Sequence, residues 1–452
     1  MMNRPTIRIR EWSKVAPASS GDGALLRGLR LTDEDRDLLA ELAGRSSLRF
    51  TELRDGLAIS VGPHIGTVSL TGLRIVIMPK IRIDNLMRLV AYAFELSDLT
   101  VTETRTRYTS SDEGLIDLLG LSLLRAVERV ARGGLLPDYR SKIEDLATPR
   151  GRLDMRHIAT HPRRATLRCI YDDLTVDQRI NQVLAAGLRL ASRVMQSADL
   201  RLDLARAADR FFGDLSRTQL DSDMLREVLD GLDRRSSHYR TALTLIALIH
   251  QGARLGEHQR AGEMPLSSFT LNMNMVFERF LGRYFRETAP ADVRISAQDV
   301  RSDVFSYLEN AGGWNQPTIR PDFVFRRRRK VVAVADAKYK NRHEHPPSSA
   351  ELYQLTAYGL SYNMADPREV LLLHPLASGE VDRATSLLFA PSAAKQQVRI
   401  RLVGVPVDGL LDGSVAGWWP LAPPAWASGI GRVSSTAQPP STSVGHQQIG
   451  GQ

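Results

Sequence analysis

Arg320-Pro-Asp-Phe-Val-Phe-Arg-Arg-Arg-Arg-Lys-Val-Val-Ala-Val-Ala-Asp-Ala-Lys-Tyr-Lys340 is the stretch on which the reading of the fold turns. Two apolar runs flank a basic turn at Arg326–Lys330, the pattern of a β-hairpin. Folding about Arg329 sets Asp322 opposite Asp336. Asp336 and Lys338 are two residues apart, so they share one face of the second strand, and Ala335 and Ala337 face the other way. Two carboxylates and an ammonium on one face of an apolar strand are awkward as mere structure, because a buried unpaired carboxylate is costly. A hard divalent cation resolves that cost by accepting the oxygens, and Mg²⁺ suits one or two carboxylates completed by waters and phosphate oxygens. Such an ion would orient or activate water and stabilise charge on a phosphodiester. Lys338 would orient the attacking water or neutralise the developing charge. A salt-bridged hairpin end is the competing reading.

Two flanking helices extend the set. Met273-Asn-Met-Val-Phe-Glu-Arg-Phe-Leu281 reads as an amphipathic helix with Glu278 at the border of its apolar face, placed to supply a further metal ligand. Glu351-Leu-Tyr-Gln-Leu-Thr-Ala-Tyr-Gly359 is also helical. Its Gln354 and Tyr358 are four apart and project from one face, where they could orient Lys338, a water or a phosphate.

Around this core the chain has 452 residues, 25% charged and 43% hydrophobic, which excludes a wholly disordered or fibrous protein. The net charge of +9 favours a polyanionic partner such as nucleic acid. Only seven of the 60 basic side chains are lysines, so a position that keeps lysine is one where an ammonium suits better than a guanidinium. The single cysteine, Cys169, excludes an intramolecular disulfide framework, a Cys-rich zinc site and a four-cysteine iron–sulfur cluster. No signal-peptide core and no membrane-length apolar stretch is present, so a cytoplasmic protein without membrane contact is expected. No G-x-x-x-x-G-K-[ST] loop occurs, so no nucleotide site is expected in this chain.

The expected fold class is multidomain α/β. Residues 1–83 read as strand-rich, 84–264 as mainly helical, 265–410 as an α/β domain, and 411–452 as a C-terminal extension that is disordered from about 425. Leu73, Ile75 and Ile77 line one face of a strand that Pro79 should end or place at an edge. Thr32-Asp-Glu-Asp35 reads as a capped helix start. Pro149-Arg-Gly-Arg-Leu-Asp154 reads as an irregular basic segment. His157 and His161 have zinc-helix spacing but lack the accompanying glutamate, so surface histidines are expected. His343 and His345 belong to a turn before Pro346 and Pro347. The Arg326–Lys330 run either contacts phosphates or is a solvated tip.

The constellation resembles the PD-(D/E)xK nuclease superfamily. Pro321-Asp322 and Asp336-Ala-Lys338 match its two central elements, Glu278 its helix acid, and Gln354-x-x-x-Tyr358 the motif of RecB-like members. Asp336-Ala-Lys-Tyr-Lys340 with Tyr353–Gly359 is similar to the McrC family, the nuclease subunits of McrBC modification-dependent restriction systems. So are Val61-Gly-Pro-His-Ile-Gly66, Ile77-Met-Pro-Lys-Ile81, Pro149–Asp154 and Tyr171–Asn181. The resemblance runs in patches from about residue 50 to 405. It implies a Mg²⁺-dependent endonuclease with a C-terminal restriction-endonuclease-like domain, acting on DNA that carries methylated cytosine. It also implies a McrB-like AAA+ GTPase partner that binds the GTP. The N-terminal region would dock on that partner and stimulate it, with Lys80 as a candidate contact. Two other readings stay open: a self-sufficient RecB-like DNA nuclease, and a non-catalytic adaptor that activates a motor.

Overall fold

A computed structural model describes residues 5–45, 48–81, 83–96, 114–161, 165–255, 267–377, 379–391 and 396–421. The expected disordered tail and residues 97–113 of the expected helical stretch lie outside the described residues.

The N-terminal region carries β1 (Thr6–Arg10), β2 (Lys14–Val15), β3 (Arg49–Leu53), β4 (Gly56–Ser60), β5 (His64–Ser69) and β6 (Arg74–Met78). β6 runs between parallel β1 and antiparallel β5. Leu73, Ile75 and Ile77 are buried as their alternation requires. Pro79 therefore ends a central strand and does not mark an edge. The Asp33–Arg45 helix starts with a reciprocal cap: the Thr32 hydroxyl accepts from the Asp35 N–H and the Asp35 carboxylate accepts from the Thr32 N–H, both at 3.1 Å.

The middle region contains the helices Ile83–Ala93, Leu115–Gly133, Arg179–Val194, Ala198–Phe212, Ser222–Asp230 and Arg240–Gly252. Leu86, Leu89, Val90, Leu118, Leu121, Leu124 and Val127 all enter one shared core. The segment Pro149–Asp154 is irregular as expected except for Arg152–Leu153, which joins a sheet. β7 (Asp138–Leu146), β8 (Arg152–Leu153) and β9 (Leu167–Thr175) form an antiparallel sheet in the order β7-β9-β8. Seven successive residues of β7 are exposed, so no apolar alternation advertises this strand. Cross-strand ion pairs support it, Lys142 with Asp173 at 2.6 Å and Arg168 with Asp145 at 2.8 Å.

β10 (Ala253–Leu255) and β11 (Ser267–Asn272) return to the first sheet, whose order is β1-β6-β5-β11-β10. This sheet thus draws strands from both sides of residue 200. Gly66 of β5 makes the pairing possible. Its φ is +130°, and a Cβ there would lie 2.1 Å from the Phe269 carbonyl oxygen of β11.

β12 (Val293–Ala297), β13 (Phe323–Arg327), β14 (Lys330–Ala337), β15 (Arg368–Pro375), β16 (Thr385–Phe389) and β17 (Val398–Val405) build a six-stranded sheet in the order β12-β13-β14-β15-β17-β16. β14, β15 and β17 are parallel, and the Ser349–Ser361 helix crosses from β14 to β15. The Leu371–Leu373 run of β15 is fully buried because both faces of the sheet are covered. Phe323, Ala335, Leu371 and Leu373 share a core with Phe277 and Phe285 of the Met273–Thr288 helix. Val324, Val334 and Leu372 share another with Leu355 and Tyr358 of the Ser349–Ser361 helix. Among the described residues, no helix is long and apolar enough to cross a membrane.

Candidate active site

The β13–β14 hairpin positions the site. Arg328 and Arg329 turn it, both with left-handed φ, +47° and +69°, as a two-residue hairpin turn demands. The tip lies just short of the expected pivot at Arg329. Val332 then bulges, so the pairing passes from Arg326↔Val331 to Phe325↔Ala333. The bulge restores the expected register. Phe323 pairs with Ala335, and the neighbouring Asp322 carboxylate accepts from the Ala337 N–H at 2.8 Å.

Asp336 is 2% exposed and lies near the C-terminal end of β14, two residues beyond Val334. Crevices outside the carboxyl ends of parallel strands are where open α/β sheets hold ligands. The Lys338 ammonium sits 2.8 Å from the Asp336 carboxylate. On the neighbouring helix the Gln354 amide donates to the Tyr358 hydroxyl at 2.7 Å, and that hydroxyl donates to the Arg320 carbonyl at 3.2 Å. Tyr358 thereby anchors the residue two before Asp322. Glu278 projects from the Met273–Thr288 helix and reaches Asp322 through Gln298, whose amide donates to Glu278 and, at 3.3 Å, to Asp322.

The electrostatics are those of carboxylates crowded together. Burial first, then the Asp336 and Glu278 carboxylates, push Asp322 up to about 7. Burial also raises Asp336, against the pull of Lys338. For Lys338, burial works against the charge, but Asp336 and Asp322 outweigh it and hold the ammonium protonated above its ordinary pKa. Burial raises the Tyr358 hydroxyl.

The donors facing one another are carboxylate oxygens, without imidazole or thiolate, so they fit a hard cation of the Mg²⁺ kind and not a softer metal. Among the described residues, no three His, Cys, Asp or Glu side chains form a cage by themselves. Asp322 and Asp336 are the near pair, with Glu278 beyond the Gln298 amide. That arrangement suits Mg²⁺, which keeps several waters and takes one or two carboxylates.

Several participants escaped the sequence reading. Gln298 takes a left-handed φ of +52° directly after β12, and no local pattern marks it as the link between Glu278 and Asp322. Asn274 accepts from the Tyr339 N–H at 2.8 Å and so ties the Glu278 helix to the end of the site strand. Arg342, its side chain 1% exposed, pairs with Glu351 at 2.6 Å. Burial alone would raise Glu351, but Arg342 and the Ser348 cap hold it at about 2. The other candidates stand apart. His157 and His161 stack ring on ring at 4.3 Å. His343 and His345 contact Glu380 and Glu344. Lys80 pairs with Glu344 at 3.1 Å. A cleft of about 700 Å³ is lined by Glu278 together with Arg226, Arg240, Arg279 and Arg286, and by Glu95 and Asp230.

The family model described as McrBC 5-methylcytosine restriction system component matches residues 59–375, from β4 to the end of β15. The chain belongs to this family. The matched span includes Glu278, Asp322, Asp336, Lys338, Gln354 and Tyr358. A chain of the refined half-complex from the tetradecameric assembly of Thermococcus gammatolerans McrB AAA+ hexamers with bound McrC shares the fold at a TM-score of 0.55 and 18% identity. The match covers 89% of this chain and 96% of that one. The cryo-EM structure of the Thermococcus gammatolerans McrBC complex aligns over 63% of this chain and 88% of that one, with a TM-score of 0.43 and 17% identity. No curated protein matches the chain.

Proposed function

We propose that the chain is the endonuclease subunit of a modification-dependent restriction system of the McrBC type. It hydrolyses DNA phosphodiester bonds with Mg²⁺, and it docks on and stimulates an AAA+ GTPase that supplies GTP binding and movement along DNA. Residues 1–83 serve partner docking, 84–264 form the connecting middle, and 265–410 are a PD-(D/E)xK nuclease domain. The chain works in the cytoplasm on DNA that carries modified cytosine.

One observation carries this reading: Asp322 and Asp336 face each other across a hairpin, with Lys338 2.8 Å from Asp336 and burial raising both acids. Asp322 and Asp336 would hold the cation, with Glu278 as a further oxygen donor. When bound, the cation supplies positive charge to a scissile phosphate and its water. Lys338 stays protonated and presents its ammonium where negative charge develops. Gln354 and Tyr358 brace the strand entry at Arg320 and so hold Asp322 in register. The arginine-lined cleft beside Glu278 offers a route for the DNA backbone.

The test is cleavage of methylated and unmethylated plasmid with Mg²⁺, with and without a McrB-type AAA+ GTPase and GTP. Cutting that needs partner, GTP and methylation, and that is lost in Asp336→Ala, is the expected result. Robust cutting by the chain alone would favour a self-sufficient RecB-like nuclease. Stimulated GTP hydrolysis without any cutting would favour an adaptor.

A further inference from the structure

The basic run at the hairpin tip takes no part in the site described above, yet it borders a second cleft. This cleft, of about 420 Å³, is lined by Asp299, Arg301, Arg326, Arg329, Lys330 and Tyr362, among others. Two of its four cations are already neutralised. Arg326 pairs with Asp299 at 2.6 Å, and Arg301 pairs with Asp303. Arg329 and Lys330 are exposed and make no ion pair among the described residues. Two cations of the lining are therefore left for an incoming anion.

The base of the cleft carries an independent sign of a ligand. Tyr362 is 3% exposed, the Arg301 guanidinium lies 5.0 Å from its ring centre, and its hydroxyl has no hydrogen-bond partner among the described residues. Leaving a buried hydroxyl unsatisfied is costly. An anionic oxygen would accept from it. Tyr362 directly follows the Ser349–Ser361 helix as its C-cap, with extended backbone angles.

We propose that this cleft is a backbone-phosphate subsite for the DNA strand, several nucleotides from the phosphate at Asp322, Asp336 and Lys338, since six residues of β14, about 20 Å of strand, separate Lys330 from Asp336. Arg329 and Lys330 supply the charge, Tyr362 the buried donor, and Arg301 and Arg326 the fixed walls. The inference rests on the nuclease reading, and its test measures binding without cutting.

The full-length chain is titrated in EDTA against a fluorescein-labelled DNA duplex over a range of salt concentrations. Arg329→Gln/Lys330→Gln should weaken binding about tenfold at physiological salt. It should also lower the slope of log K against log salt by about one to two, the loss expected for one or two phosphate contacts. Tyr362→Phe should weaken binding several-fold and leave that slope unchanged, because it removes a neutral donor. Arg328→Gln, at the same tip but outside the cleft lining, should change little. Unchanged affinity and slope in the double variant would overturn the subsite. So would an equal loss in Arg328→Gln, which would mark a diffuse charge effect, and so would failure of the wild type to bind DNA. Normal cutting by Asp336→Ala would instead sink the catalytic assignment and leave these binding results standing.

Discussion

Replacing Asp322 by asparagine probes the carboxylate cluster without relying on turnover. In the metal-free chain, burial and the neighbouring carboxylates raise Asp322 from 3.8 to about 7. At about 1.4 kcal/mol per pKa unit, keeping this group ionised costs the folded state about 4 kcal/mol near pH 8. Because the folded pKa exceeds the unfolded one, the favourable contribution is whole below about pH 4 and is lost as pH rises through about 7. Asparagine keeps an acceptor for the Ala337 N–H and gives up the 3.3 Å bond from Gln298, worth about 1 kcal/mol. Asp322→Asn should therefore stabilise the chain by about 3 kcal/mol near pH 8, and cost it about 1 kcal/mol near pH 4. The assay is the difference in denaturation midpoint between the two proteins in EDTA across this range, which cancels the other titrating groups. Mg²⁺ should raise the wild-type midpoint, by about 2.7 kcal/mol at a hundred times its Kd, and leave the variant nearly unmoved. A pH-independent difference, or an equal Mg²⁺ shift in both proteins, would refute the reasoning.

The remaining expectations use other groups. Asp336→Ala and Lys338→Ala should each lower the cleavage rate at least about 100-fold while stimulated GTP hydrolysis by the partner persists; wild-type cutting by either would show that the site is elsewhere. Glu351→Gln strips the buried Arg342 of its counter-charge and should cost about 3–5 kcal/mol near neutral pH. Since Glu351 is held at about 2, that contribution is present above about pH 4.5 and fades as pH falls through 2; a neutral-pH midpoint like the wild type's would contradict it. Glu11 has the opposite sign. Burial pushes it to about 7, so Glu11→Gln should gain about 3 kcal/mol near pH 8 and nothing near pH 4.5, read from the same midpoints.

The hairpin was legible because two local signals agree in it: apolar runs of strand length and a charged turn between them. Even so, its register came out right through a feature that the pattern does not contain. The two-residue turn at Arg328–Arg329 alone would set Asp322 against Ala335, and the Val332 bulge moves it to Asp336. The long helices were equally legible, since Leu118, Leu121, Leu124 and Val127 repeat at helical spacing and are all buried. The β7–β9 ribbon was not, because β7 leaves Tyr139 and Ile143 exposed and presents charged residues to β9, so its sequence shows no apolar alternation. Gln298 and Asn274 were invisible for another reason. Gln298 acts through hydrogen bonds to residues 20 and 24 positions away and Asn274 through one to a residue 65 away, and such partners leave no trace in local periodicity.

The long-range pairings also decide how the parts can communicate. β11 is hydrogen-bonded into the N-terminal sheet through β5, and the Met273–Thr288 helix begins at the next residue. Within its first two turns that helix carries Asn274, which holds the Tyr339 N–H, and Glu278, which reaches Asp322 through Gln298. A second tether runs beside it: the Trp12 indole donates to the Tyr339 carbonyl at 2.8 Å, and the Lys340 ammonium lies 5.0 Å from the centre of the Trp12 rings. The backbone N–H and carbonyl of Tyr339, just past the end of the site strand, are thus both held by residues joined to the N-terminal sheet. Displacing that sheet against the six-stranded one would have to break these bonds or move the strand carrying Asp336 and Lys338. Trp12→Phe removes the indole donor and keeps the ring. It should leave DNA binding in EDTA unchanged and lower the Mg²⁺-dependent cleavage rate several-fold, whereas an unaltered rate would show that the tether carries no load between the two sheets.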